Sequence, residues 1–158
     1  MLLLLVATLL LQPAAPILPH KHSPPVLPTR QYADDMRAKN IEDILAMYTP
    51  DAIFTDPDGN TFSTPDAMRG LYQQTFATYD SDLTLTVKKL DVKGDGWSAG
   101  TTAVESDEYE EALQTRATKT IQRVCGDCVF SWVRQADGLW LIVSQRWTVR
   151  PCSASPTN

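Results

Sequence analysis

The sequence is poor in histidine and in clustered positive charge. Its two histidines, His20 and His22, lie close together in a proline-rich stretch with no further ligand nearby, so a metal site is not expected there. The 14 lysines and arginines are dispersed and outnumbered by 19 acids, which gives a net charge of -5. Because phosphate neutralisation needs clustered basic residues, nucleic acid is excluded as a partner.

The chain also lacks an apolar run long enough to span a bilayer. Residues 1–11, MLLLLVATLLL, are too short for a span and precede small residues and prolines, as in a secretory signal peptide, although no basic residues come first. We expect a signal peptide over 1–15 and export to the periplasm or the extracellular space. A Pro-rich linker over 16–28 follows, since 12–28 holds six of the eleven prolines.

The remaining residues suffice for one domain, which we place at 29–150, with a short tail over 151–158. Helical spacing begins at Thr29 and repeats through Tyr48. A further helix opens at STPD, with Thr64 as N-cap and Pro65 at the first helical position. Strands are predicted at 52–56, 83–93, 97–109, about 117–134 and 139–149, with a bulge near Lys88. Helices followed by one sheet predict an α+β fold.

The segment MYTPDAIFTDPDG places an acid at the tip of a strand. Strand alternation puts Ala52, Phe54 and Asp56 on one face, so Asp56 points where the apolar Phe54 points. The alternative is that Asp-Pro and Asp-Gly only end the strand in a turn.

These motifs, together with Tyr32, the helix after STPD and the closing RWT, resemble the SnoaL-like branch of the nuclear transport factor 2-like superfamily. That superfamily includes ketosteroid isomerase and polyketide cyclases. The resemblance covers roughly 30–149 and implies a cone-shaped, curved antiparallel sheet wrapped around N-terminal helices, a cystatin-like roll. It implies that Asp56 is a general base and Tyr32 an oxyanion donor, and that Tyr72 and Trp147 lie on aromatic pocket positions.

Ketosteroid isomerase uses an Asp base together with a second, protonated Asp in its oxyanion hole, and this chain lacks that second acid. Counting back from Trp147 through the turn at Asp137 and Gly138 places Phe130 where the isomerase has its second acid. Tyr48 and Phe54 join the candidate ligand-binding set. Hairpin alternation adds Cys128, Phe130 and Trp132 from one strand, and Val143, Gln145 and Trp147 from the next. The alternative for all the aromatic residues is an ordinary core.

Three cysteines leave an odd count. The C-x-x-C spacing of Cys125 and Cys128 lies among β-formers, which disfavours a thioredoxin-like redox site. Hairpin pairing that sets Cys125 opposite Thr148 leaves Cys152 roughly 13 Å too far along. A Cys125–Cys128 disulfide is therefore marginally preferred.

The acidic segment ESDEYEEA, 105–112, lacks the spacing of a calcium loop and is interpreted as a solvated strand end and loop. The sequence thus predicts an exported domain with an apolar pocket, an isomerase or cyclase acting on a flat hydrophobic ketone without metal or organic cofactor. The alternative is a non-catalytic module that binds a small hydrophobic molecule or forms a homodimer through the sheet.

Overall fold

The structure is a computed structural model that describes residues 25–153. The expected signal peptide, most of the linker with both histidines, and the end of the tail lie outside the described residues. The elements, in chain order, are α1 Thr29–Ala38, α2 Ile41–Ala46, β1 Tyr48–Thr55, β2 Thr61–Phe62, α3 Pro65–Thr78, β3 Tyr79–Lys93, β4 Thr102–Thr115, β5 Ile121–Arg134 and β6 Trp140–Arg150.

The helices cover one face of a curved, unclosed sheet with the order β2-β1-β6-β5-β4-β3. The α+β prediction is confirmed. All neighbouring strands are antiparallel except β1 and β6, which are parallel, with Phe54 paired to Gln145. The expected bulge is present as a register shift between Val87 and Lys89. The sheet is therefore curved around the helices, as the resemblance implied.

The third helix starts as its sequence predicts. The Thr64 side chain accepts a hydrogen bond from the Ala67 backbone N–H at 3.2 Å, and Pro65 occupies the first turn, where no N–H is needed. The apolar stripe of Met68, Tyr72 and Phe76 is buried toward the sheet. This packing fixes one wall of the interior.

The folded core begins slightly before the predicted domain boundary. Leu27 is buried in the hydrophobic core, and the Pro28 carbonyl accepts the Tyr32 backbone N–H at 3.0 Å. The hydroxyl of Thr29 donates to Glu105 at 2.5 Å. The last residues of the expected linker thus pack against the domain.

The expected Cys125–Cys128 disulfide is wrong. Cys125 is bonded to Cys152, with their Cα atoms 5.1 Å apart, while Cys128 is a free, buried thiol. The prediction erred in register by two residues. Next to the turn Arg134 pairs with Trp140, which is already one residue from the expected register, and a shift between Ser131 and Trp132 adds one more, so that Cys125 pairs with Arg150 rather than Thr148. Cys152 then lies only two residues beyond the pair.

Gly126 is required by the backbone that passes over it. A Cβ at this position would lie 1.8 Å from the Thr148 carbonyl oxygen and 2.5 Å from the Tyr109 ring. Since neither neighbour allows such an approach, the glycine in VCGDC permits β6 to lie close to β5 beside the disulfide.

Candidate functional site

A cavity of about 440 Å³ opens between the helices and the inner face of the sheet. This volume is typical of small-molecule sites. The wall is rich in aromatic side chains, namely Tyr32, Phe54, Tyr72, Tyr79, Tyr109 and Trp147. Asp56 also lies on the wall, so the candidate base and the candidate donor line the same cavity.

Asp56 has a role in the turn as well. Its carboxylate accepts hydrogen bonds from the backbone N–H and the side-chain amide of Asn60, both at 2.8 Å. The Gly59 backbone N–H donates to the Asp56 carbonyl at 3.0 Å, and Gly59 has a φ of 86°. The two interpretations of this acid are therefore compatible, because the turn that it closes also holds it at the cavity.

Three tyrosines form a hydrogen-bonded chain that leads from the cavity into the core. The hydroxyl oxygens of Tyr32 and Tyr72 are 3.1 Å apart, and those of Tyr72 and Tyr48 are 2.8 Å apart. Tyr48 donates to Oε1 of Gln145, whose Nε2 lies 3.7 Å from the Cys128 sulfur. The chain links the cavity residues Tyr32 and Tyr72 to the buried Gln145 in the middle of β6.

Burial keeps this chain protonated. It raises the pKa of Tyr32 and of Tyr48 well above the ordinary tyrosine value, and the neighbouring tyrosine hydroxyls raise both further. Burial likewise raises the pKa of Tyr72 to about 12, although its hydrogen bonds to Tyr32 and Tyr48 oppose the rise. Burial also raises the pKa of the Cys128 thiol. The site therefore holds neutral hydroxyl and thiol groups.

The predicted ligand-binding residues divide into two groups. Phe54, Tyr72 and Trp147 line the cavity. The others are core residues that lie outside its wall, namely Tyr48, Phe130, Trp132 and Gln145. Val143, expected on the pocket wall, is exposed on the outer face, and Cys128 pairs with Trp147 instead of Gln145. From β5 and β6, the cavity wall thus includes Val124, Trp147 and Val149 instead of most of the residues that the hairpin pattern predicted.

The acidic segment is misassigned by the sequence analysis. Residues 105–112 lie within β4, where Glu105 and Asp107 are 2% exposed and Glu111 lines the cavity. The signal was present as period-two alternation, because Ala103, Glu105, Asp107, Tyr109 and Glu111 fall on one face. A solvated strand end was inferred from composition where the pattern indicated an inward face.

These inward acids have different partners. Glu105 accepts hydrogen bonds from the Thr29 hydroxyl at 2.5 Å and the Trp132 indole at 3.1 Å. Both oxygens of Asp107 are buried without a hydrogen-bond partner among the described residues. Burial, and then the charge of Glu105, raise the pKa of Asp107 to about 7. Asp107 is therefore the least compensated acid of the interior.

Comparison with known proteins identifies the family. A family model described as a SnoaL-like domain matches residues 29–143. The chain therefore belongs to the SnoaL-like family. No curated protein matches the sequence at a significant level.

Solved structures share the fold at low sequence identity. A ketosteroid isomerase-like protein from Erwinia carotovora atroseptica aligns with a TM-score of 0.67 and 19% identity, over 78% of this chain and 92% of that one. A candidate scytalone dehydratase from Novosphingobium aromaticivorans gives 0.66 and 9%, over 82% and 84%. An uncharacterised protein with a cystatin-like fold from Caulobacter vibrioides gives 0.63 and 15%, over 78% and 84%. These likenesses establish a nuclear transport factor 2-like fold.

Within residues 25–153, no group of three or more histidine, cysteine or acidic side chains is arranged to hold a metal ion. The same part of the chain contains no helix that is long and apolar enough to cross a membrane.

Proposed function

We propose that the cavity binds a small, flat, largely apolar ketone and catalyses proton transfer at the carbon next to its carbonyl. The observation that carries this proposal is that Asp56 and Tyr32 line one cavity whose wall contains six aromatic side chains. Asp56 is the general base, held in place by Asn60. Tyr32 is the donor to the enolate oxygen once the Gln145 amide is flipped, and its raised pKa keeps its proton on the phenol.

The direction of the tyrosine chain decides whether Tyr32 can donate. Each hydroxyl has one proton, and Tyr48 gives its proton to Gln145. Tyr72 then donates to Tyr48, and Tyr32 to Tyr72, which leaves a lone pair of Tyr32 for the ligand. If the Gln145 side-chain amide is flipped, its Nε2 donates to Tyr48. Every hydrogen bond between the three tyrosines then runs in the opposite direction, so that the Tyr32 proton faces the ligand. The thiol of Cys128 is positioned to donate to Oε1 in that arrangement.

The same observation supports a second candidate function, which is binding without turnover. In the arrangement shown, Tyr32 accepts a hydrogen bond from the ligand, which suits a hydroxyl group better than an enolate. Phe130, fully buried where the isomerase has an acid, adds no donor. The cavity then holds its ligand through the aromatic wall and the accepting hydroxyl of Tyr32.

Exchange of the ketone α-proton for deuterium, followed by NMR, separates these functions. The Asp56→Asn variant keeps the shape and removes the base, so exchange should fall by roughly 10²- to 10⁴-fold. Tyr32→Phe should cost roughly 10²-fold or more if it removes the oxyanion donor. Asp51→Asn, an exposed acid on β1, the strand that ends just before Asp56, is the matched control and should exchange like wild type.

Equal exchange by wild type and Asp56→Asn, with ligand binding retained in both, would reject the enzyme and leave the binding module.

The location and assembly are also proposals. The Cys125–Cys152 disulfide supports export, because such bonds persist in oxidising compartments. The outer sheet face has partly exposed Val104, Val129 and Val143, which supports a homodimer through the sheet.

A further inference from the structure

The charged groups of the cavity wall all have one sign. Besides its six aromatic side chains, the wall contains three carboxylates, those of Asp56, Asp58 and Glu111. The described residues that line it include no lysine, arginine or histidine. Such a wall favours positive charge in two ways, through the carboxylates and through the faces of the aromatic rings.

Of the three wall carboxylates, Glu111 is the one that lies on the sheet, in β4. It is half-buried, and the Ser81 hydroxyl donates to its Oε1 at 2.5 Å. Burial raises the pKa of Glu111, and the Ser81 hydrogen bond only partly opposes this rise. The carboxylate is thus oriented within the wall without a compensating cation there.

The outward acids of the same strand are treated differently. Glu110 forms an ion pair with Arg123, and Glu108 pairs with Lys88, and these contacts lower the pKa of both carboxyls. The strand therefore neutralises its outer carboxylates with basic side chains. Glu111, the β4 carboxylate on the cavity wall, has no basic side chain beside it on that wall, so a positive charge would have to come from a ligand.

We propose that the cavity selects an organic cation, a flat molecule whose ammonium group binds Glu111 while its apolar body packs on the aromatic wall. The inference rests on the proposed function for the site itself, and it narrows the substrate to an amine-bearing ketone. An organic cation fits better than a metal ion, since the described acids are not arranged in a ligand cluster. The acids at the β1–β2 turn add further negative potential at the mouth.

The test uses two probes of nearly the same shape that differ in charge, 2-naphthylmethylammonium and 2-ethylnaphthalene. Their dissociation constants for the full chain are measured by calorimetry near neutral pH and low salt. Because hydrogen bonds to a charged group are worth about 1.5–3 kcal/mol, wild type should bind the cation about 10-fold or more tightly than its isostere. The anion 2-naphthoate should bind most weakly.

Glu111→Gln should abolish this preference while leaving the affinity for 2-ethylnaphthalene unchanged. Glu110→Gln is the matched control, because it changes the net charge equally at the next residue but on the outer face, and it should keep the preference. Ser81→Ala, which only frees the Glu111 side chain, should reduce the preference by a smaller factor. It also serves as the second variant if Glu111→Gln does not fold.

Equal binding of cation and isostere by wild type would overturn the inference, as would equal losses in the Glu110 and Glu111 variants or no binding of either probe. The exchange assay keeps this result separate from the proposed function. If wild type shows Asp56-dependent exchange but does not prefer the cation, only the cation proposal is refuted. If it prefers the cation but does not catalyse exchange, only the enzyme proposal is refuted.

Discussion

Asp107 should make the domain less stable as the pH rises from acid to neutral. Its carboxyl group is 2% exposed, and neither oxygen has a hydrogen-bond partner among the described residues. The folded pKa is about 7 against an ordinary value of 3.8, chiefly through burial. Ionisation is therefore easier in the unfolded chain, so deprotonation favours unfolding.

The size of the effect follows from this difference in proton affinity. Each tenfold change in the proton dissociation constant is worth about 1.4 kcal/mol. A pKa of 3.8 in the unfolded chain and about 7 in the folded chain therefore means that ionised Asp107 lowers the free energy of unfolding by roughly 4 kcal/mol. This contribution is absent below about pH 4, grows between pH 4 and 7, and is constant above. It is a large share of the stability of a typical domain.

Urea unfolding of wild type and Asp107→Asn at a series of pH values measures the effect. The variant has no titrating group, so its gain in free energy of unfolding over wild type should increase between about pH 4 and 7 by a few kcal/mol. Asp107→Leu, an apolar side chain of similar shape, should show the same dependence on pH. Asp82→Asn, an exposed acid on β3, is the control and should show little change across this window.

The comparison is made between variants because other acids act in the opposite direction. The ion pairs of Asp80 and Glu110 lower their pKa values, so their contribution is lost as the pH falls. A constant difference between Asp107→Asn and wild type from pH 4 to 8 would refute the reasoning, because it would mean that Asp107 has an ordinary proton affinity in the folded protein.

Two further perturbations test how the ends of the domain are held. Cys152→Ser should lower the free energy of unfolding by about 3 kcal/mol, since the Cys125–Cys152 bond closes a loop with a sequence separation of 27. Denaturant unfolding of wild type with and without reductant measures the same contribution, and equal stability under the two conditions would contradict the prediction. A chain that starts at residue 25 should unfold like the full chain, whereas Leu27→Ala should cost about 2 kcal/mol through lost core contacts; an unchanged melting temperature for Leu27→Ala would show that this residue does not contribute.

Local signals in the sequence were sufficient for much of the fold. The Thr64 cap and Pro65 predicted the start of α3, and the change of phase near Lys88 predicted the bulge in β3. Both depend on residues that are near one another in the chain. The SnoaL-like motif added the arrangement of helices and sheet, including the position of Asp56 and Tyr32 on one cavity.

Register and burial were harder to predict because they depend on distant strands. Next to the turn the strands are already one residue from the expected register, and a shift between Ser131 and Trp132 adds one more. Cys125 therefore pairs with Arg150 instead of Thr148, and Cys152 comes within bonding distance. A turn signal locates the hairpin but does not reveal a bulge inside it. The parallel pairing of β1 with β6 likewise has no local signature.

The inward acids of β4 show how composition can mislead where alternation is informative. Asp107 and Glu111 share one strand face, yet their consequences differ because only Glu111 lies on the cavity wall. A ligand cation can offset the charge of Glu111, and through linkage such a ligand stabilises the folded state as it binds. The carboxyl group of Asp107 lies away from that wall, so its cost to folding persists whether the cavity is filled or empty. The pH dependence of stability and the charge preference of the cavity therefore report on two separate groups, although both arise from the same acidic segment.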